Sequence, residues 1–489
     1  MYDNPILKMD FPDPDVIFHD GIYYMVTTTM HFFPGGEILK SEDLVNWEHC
    51  TYIYDKIDST PAQKLEGDSH IYGKGMWAAT LRFHEGTFYV AFVCNDTHKT
   101  YLYRSESIEG PWRKSEIEGF YHDLSLLFDD GKAYLVYGNT EIHLTELNDD
   151  LTAPRKGGLD RVIVVDEGNK MLGYEGSHIY KIDGRYWVFF IHSLKDRWRR
   201  VEAAFSADSL DGEFVGGDIF DDDLGIRNSG IAQGGIVCDD NGNWNAILFQ
   251  DSGAIGRMPV VVPGKWVDGK PVFGIDGKAP RDLPSNGKKT KPLFGSDDFE
   301  SGCEDYWQFN HEPDMDLVRF DNGLWITTDK ISHNIFHSKN TLTQRMNSPF
   351  CCGEVTIDGS KMNNGDVACL SAFQGDFALA GLLKENDEFY AVMMSNESQG
   401  SFWDLSEDTI KTEEKIKLNS STLTVKLTCE FENDTCTCYI KKGDEFVNIG
   451  STHNLHFRLD HFTGVRFALS YYSPETVGGT AGFTHFVTG

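Results

Sequence analysis

Five times in its first 250 residues the chain repeats one short pattern: an acidic or polar turn centred on glycine, then an aromatic-rich run of strand-forming residues. The copies are IFHDGIYYMVTTT (17 to 29), RFHEGTFYVAFV (82 to 93), LFDDGKAYLVYG (127 to 138), YKIDGRYWVFFI (180 to 191) and VCDDNGNWNAILFQ (237 to 250). Their turn glycines, Gly21, Gly86, Gly131, Gly184 and Gly242, stand 65, 45, 53 and 58 residues apart. Glycine between polar residues supplies the positive φ that a tight hairpin needs. Recurrence on this scale is that of propeller blades with unequal loops. A second pattern follows three of the hairpins: SEDLVNW (41 to 47), SESIEGPW (105 to 112) and SADSLDGEF (206 to 214), each a strand end, a polar turn and an aromatic. Helical periodicity is nearly absent. The pattern predicts an all-β chain in which residues 1 to about 275 form a five-bladed β-propeller.

Residues 273 to 300, FGIDGKAPRDLPSNGKKTKPLFGSDDFE, are rich in Gly, Pro, Lys and Ser and read as a linker along the surface. Beyond it, segments such as GLWITTD, GDVACLSAF, FALAGLLK, TLTVKLTCE and VRFALSYY alternate at strand period and predict a β-sandwich. The expected division is a propeller over 1–296, its linker beginning near 276, and a sandwich over 297–489.

Composition narrows the function classes. With 44 Lys plus Arg against 76 Asp plus Glu, the formal net charge is -32, and such a surface repels a phosphate backbone. Disorder is excluded by 20 Tyr, 33 Phe and 10 Trp. The N-terminal MYDNPILKMDFPD has neither a basic nor an apolar leader region, and no run of 18 apolar residues occurs, so a cytoplasmic protein without nucleic-acid or membrane partners is expected. Ten cysteines are too dilute for a disulfide scaffold, and neither Cys351-Cys352 nor Cys436-Thr-Cys438 comes with a second pair at zinc spacing. They read as reduced, buried small hydrophobes. No metal or nucleotide motif is convincing: GDSHIYGKGMWAA lacks the glycines of a phosphate loop, and His31, His70 and His178 are not paired at ligand spacing.

Propellers bind ligands where the inner strands converge on the central channel. Asp13 in FPDPD and Asp123 in HDLSLLFDDG both stand eight residues before a turn glycine, and Glu175 in YEGSHIYKIDG stands nine before Gly184. Equal station in radial repeats predicts convergence on the axis. Gathered there, three carboxyls lose hydration and repel one another, which raises the pKa of at least one and leaves another charged. A protonated acid facing an ionised base across a sugar-sized gap is what glycosidic hydrolysis requires. Asp13 is flanked by Pro12 and Pro14, which predicts an extended, rigid backbone there.

These residues resemble glycoside hydrolase family 43, the five-bladed propeller enzymes that include β-xylosidases and α-L-arabinofuranosidases. NPILKMDFPDPD resembles the family's opening segment, HDLSLLFDDG the segment of its orienting acid, and YEGSHIYKIDGRYW its general-acid segment. The resemblance implies Asp13 as general base, Asp123 as the residue that orients the pair and keeps the acid's pKa raised, and Glu175 as a general acid kept protonated. FFPGGEILKSEDLVNW, GMWAAT and QDSGAIGRMPVVVP resemble the β-xylosidase-like branch; they imply sugar contacts from Trp77 and Arg257, with apolar surface from Phe32. YWQFNHEPD and NTLTQRMNSP resemble the lectin-like, concanavalin-type sandwich appended to that branch. Gln233 stands where many relatives carry a histidine, sometimes on Ca²⁺. An amide accepts a contact but gives no imidazole ligation, so no cofactor is expected and structural Ca²⁺ is disfavoured. Leucine replaces proline after Asp123, which predicts a looser backbone. The implied activity is inverting release of terminal xylose or arabinofuranose from short oligosaccharides. Endo-arabinanase or debranching action and non-catalytic sugar binding stand as alternatives, and homo-oligomerisation stays open.

Overall fold

The computed structural model describes residues 2–489 except Gln399, Phe402, Asp404, Ser406, Glu407 and Asp408. No α-helix occurs among the described residues. Five antiparallel sheets follow one another along the chain. Blade 1 contains Asp15–His19, Ile22–Val26, Gly35–Ser41 and Trp47–Tyr54. Blade 2 contains Met76–His84, Thr87–Cys94, Lys99–Ser105 and Arg113–Ile117, and blade 3 contains Ser125–Asp129, Lys132–Asn139, Glu141–Glu146 and Asp160–Val165. Blade 4 contains Glu175–Ile182, Arg185–Ser193, Arg200–Ala207 and Val215–Phe220. Blade 5 splits its first strand into Ile231–Ala232 and Ile236–Cys238, followed by Trp244–Asp251, Arg257–Val267 and Lys270–Phe273.

In blades 1 to 4 the first two strands are joined by two residues, both at positive φ: Asp20 (50°) and Gly21 (80°), Glu85 (46°) and Gly86 (78°), Asp130 (51°) and Gly131 (70°), Asp183 (50°) and Gly184 (81°). That is the primed turn whose twist matches a hairpin. A Cβ on any of these four glycines would meet nothing within 4 Å, so it is the φ angle and not crowding that calls for glycine. Blade 5 uses a longer turn, folded on the Asp239 side chain, which accepts from the backbone N–H groups of Asn241 and Asn243.

The inner strands are tied together across the axis by the second carboxylate of FPDPD. Asp15, fully buried, accepts from Arg82 Nη1 (2.7 Å) and from the Leu81 N–H (2.8 Å), and His178 Nδ1 lies 3.2 Å away. Arg82 also donates to Ser125 Oγ (2.8 Å) and the Leu126 carbonyl (2.8 Å). Blades 1 to 4 thus share one polar hub. The ring closes non-covalently: Tyr2–Asp3 pairs with Asp282–Leu283, and the Asn4 amide bridges Val261 and Pro280. The 273–300 segment is therefore fastened along its path, with Leu283 and Leu293 buried in the core between blades 5 and 1.

Two eight-membered β layers follow. One runs Lys411–Leu418, Glu388–Asn396, Phe377–Glu385, Val367–Phe373, Arg466–Tyr472, Leu342–Arg345 and Trp307–Asn310, and ends on Phe32–Phe33, which comes from the first blade's loop. Its facing layer includes Phe350–Lys361 and Thr422–Glu430, whose residues alternate buried and half-exposed as expected of a sheet with one wet face. Val367–Phe373, by contrast, is buried at every residue. The far face of its sheet packs Cys369, Phe373 and Phe377 with Leu65 and Tyr72 of the propeller. The junction also carries a buried ion pair, Arg345 Nη1 to Glu37 Oε2 at 2.6 Å, and a bond from Arg227 to Asp434 at 2.7 Å.

Candidate active site

Asp13 and Asp123 each lie two residues ahead of an inner strand, and Glu175 begins one. The equal station has a backbone counterpart. Asp13 (φ 51°), Asp123 (50°), Gly176 (63°) and Gln233 (55°) all take the left-handed conformation at the mouths of blades 1, 3, 4 and 5. In blade 4 the bend falls on Gly176, one residue after the acid, which accounts for the offset of nine in place of eight. This overturns the extended geometry expected of Asp13. The carbonyls of its two prolines are taken by neighbouring backbone, Pro12 by the Thr28 N–H (3.0 Å) and Pro14 by the Gly235 N–H (2.9 Å), and tertiary bonding outweighs the local preference. Asp123, followed by leucine in place of proline, takes the same bend as Asp13.

The bends bring Asp13, Asp123 and Glu175 into one pocket of about 130 Å³. Trp77, His122, Arg200, Gln233 and Arg257 also line it, while Leu459 and Phe462 of the sandwich close one side. Asp13 is buried and holds Thr28 Oγ1 (2.6 Å) on one oxygen and Arg257 Nη1 (2.5 Å) on the other. Arg257 Nε binds Asp251 (3.1 Å), and its guanidinium lies between the rings of Phe249 (4.2 Å) and Phe462 (4.0 Å). Arg257, expected both to contact sugar hydroxyls and to damp the repulsion of the acids, lines the pocket and gives these two groups to carboxylates. Arg200 pairs with the other oxygen of Asp251 (2.5 Å), and its buried Nη1 has no protein partner.

Phe32 does not line the pocket. It is buried at the junction, in the strand paired with Trp307–Asn310, with the Arg466 guanidinium 3.5 Å from its ring. Gln233 donates its backbone N–H to Glu202 (2.8 Å), and its side chain lies so close to Gly176 that a Cβ there would fall 2.4 Å from the amide carbon. Glu202 is fully buried, and burial pushes its carboxyl well above the usual range. One carboxyl and one amide offer few oxygens for a hard cation, which takes six to eight.

The charge arrangement differs from the expected one. Burial drives Asp123 up to about 6, against the pull of His122, with Glu175 and Asp13 adding to the rise. Burial also pushes Glu175 up, but His122, Arg200 and Arg257 outweigh it and hold that carboxyl below its ordinary value. The reversal comes from His122, whose Nε2 lies 3.5 Å from Glu175 and 3.6 Å from Asp123. Burial opposes the imidazolium, but Asp123 and Glu175 overcome this and raise its pKa to about 9. Asn139 donates to the same Glu175 oxygen. His122 adjoins Asp123 at the repeated station and could have been found there; Arg200, Leu459 and Phe462 carry no comparable local signal.

Residues 2–216 match Glycosyl hydrolases family 43, and residues 296–488 match the Beta xylosidase C-terminal Concanavalin A-like domain. A Beta-xylosidase of Formosa agariphila is 26% identical over 82% of this chain and 78% of its own. A solved structure described as a bifunctional GH43-CE of Bacteroides eggerthii superposes with a TM-score of 0.92 at 36% identity, covering 100% of this chain but 63% of its own. Another, a GH43 glycoside hydrolase engineered to display both endo-xylanase and exo-arabinofuranosidase activity, superposes with a TM-score of 0.88 at 25% identity, covering 100% of this chain and 99% of its own.

Proposed function

Since this chain belongs to glycosyl hydrolase family 43, in the β-xylosidase and arabinofuranosidase-like branch with a C-terminal sandwich, we propose that it is an inverting exo-pentosidase. Its substrates are short oligosaccharides ending in β-xylose or α-L-arabinofuranose. The carrying observation is the pocket itself, three carboxyls around a space of about 130 Å³ walled by the second domain. That volume is roughly four waters, which suits one terminal sugar and not a threaded polymer. The names of the relatives support both pentoses.

In this reading the terminal sugar sits against Trp77 and Phe462, with Arg200 Nη1 free for a hydroxyl. Asp13, fixed by Thr28 and Arg257, takes a proton from the attacking water. Glu175 protonates the departing oxygen on the opposite face. Single displacement of this kind inverts the anomeric centre, and Asp123 holds the Glu175 loop through the Gly176 N–H (3.1 Å). The test is product analysis on xylo- and arabino-oligosaccharides of two to six units. Monosaccharide should accumulate from the first time point, with the chain shortened by one unit at a time. Early accumulation of mixed internal fragments, or no turnover of any substrate, would refute the proposal.

A further inference from the structure

Single displacement needs one proton held ready for the leaving group, yet in the free site Glu175 is surrounded by groups that favour its carboxylate. We propose that His122 and Glu175 work as one acid, the His122 imidazolium storing the proton that Glu175 passes to the departing oxygen. This deepens the glycosidase reading and rests on it.

The placement of His122 is built, not incidental. Its carbonyl is held by the Gly138 N–H of blade 3 (2.9 Å), and the next residue, Asp123, takes the left-handed bend that sets the station. Its ring meets the edge of Trp77, and about a quarter of the side chain is exposed. The groups facing it are Asp123 beside it, Glu175 and Arg200 from blade 4, Asp13 from blade 1 and Arg257 from blade 5. Three carboxyls with one imidazole among them leave the proton on nitrogen. The 3.5 Å from Nε2 to Glu175 is an ion-pair distance that tightens when substrate displaces water, as catalytic bonds commonly do.

The step balances. The Nε2–H bond breaks and the proton goes to Glu175, which protonates the glycosidic oxygen as its bond to the anomeric carbon breaks with both electrons. Water forms the new bond to carbon and loses a proton to Asp13. Asp13 then releases that proton to solvent and His122 takes one back, so one water is consumed and the site is reset.

The test compares the full chain with H122Q and H122F from pH 5 to 10, on xylobiose or an arabino-disaccharide and on a nitrophenyl pentoside. Both variants should lose about tenfold or more in kcat/KM on the disaccharide at pH 8 and far less on the nitrophenyl substrate, as loss of an acid requires. Their alkaline limb should also move down by about one pH unit or more. Equal losses on both substrates with an unmoved alkaline limb would reduce His122 to packing and overturn the proposal. A variant that fails to fold leaves a second measurement, NMR titration of labelled imidazoles in the wild-type chain. A His122 midpoint above about pH 7.5, against an ordinary value near 6.5, supports the proposal, and one at or below 7.5 overturns it. Failure of the glycosidase reading shows separately, as a wild-type chain that turns over no pentoside.

Discussion

In the proposed mechanism Asp13 and Glu175 act on one bond from opposite sides, so they should fail differently when removed. An acid matters only as far as the leaving group needs its proton, and losing a general acid or base costs typically about 10²- to 10⁴-fold. Glu175→Ala should lose much less rate on a nitrophenyl pentoside than on a disaccharide, whereas Asp13→Ala should be crippled on both. Steady-state kinetics of the two variants on the two substrates, with chemistry rate-limiting, decides this. Equal losses for Glu175→Ala would mean the acid is assigned wrongly. A second residue, Asp10, tests the cost of a carboxyl buried behind Arg257. It is buried, its Oδ1 accepts the Arg257 N–H (2.8 Å), and burial raises it to about 6. A carboxyl raised in the folded state stabilises fully below its unfolded value, near 4, and loses that contribution as pH climbs through 6. Asp10→Asn should therefore be more stable than wild type at pH 8 by up to about 3 kcal/mol, with the gap closing by pH 4, as read by denaturant unfolding at both pH values. At this scale the three acids were legible because they share a station with the turn glycines. The Asp13 backbone and the proton balance were not, because Pro14, Gly235 and His122 act through contacts made only in the folded ring.

The blades were legible as elements because four of them are joined by the same two-residue turn, and a positive φ at both positions leaves a mark in sequence as Asp-Gly or Glu-Gly. The fifth blade's first strand, broken into Ile231–Ala232 and Ile236–Cys238 by Gln233, Gly234 and Gly235, has a weaker signature. A Cβ on Gly234 would fall 1.8 Å from the Ile247 carbonyl, so that glycine serves close strand approach. What ties the blades to one another is Asp15 with Arg82, Ser125 and His178, a cross-axis arrangement that no local pattern announces. Removing one member of a buried pair strands the other charge. Asp15→Ala should cost about 3–5 kcal/mol in denaturant unfolding, and a loss under about 1 kcal/mol would show that the hub does not hold the ring.

Across the whole molecule, the second domain completes the site. Leu459 and Phe462 reach the pocket, Phe32–Phe33 extends a sandwich sheet, and Glu37 pairs with Arg345. The sequence pattern of the sandwich indicates a fold class but not its docking, because the contacts join residues some 300 positions apart. Cleavage in the exposed stretch at 286–289 should leave two pieces that co-elute on gel filtration and keep their activity, whereas a chain ending at 296 should lose most of it. Pieces that separate under native conditions with an active propeller would contradict this.

In the proposed reaction one water displaces the leaving group directly, with Asp13 as base and Glu175 as acid. Proton NMR of the first-formed sugar from an aryl β-D-xylopyranoside, read before mutarotation, separates this from double displacement. α-Xylopyranose should appear first, with the β anomer growing in only as the anomers equilibrate. β-Xylopyranose as the first product would mean a covalent intermediate and would contradict it.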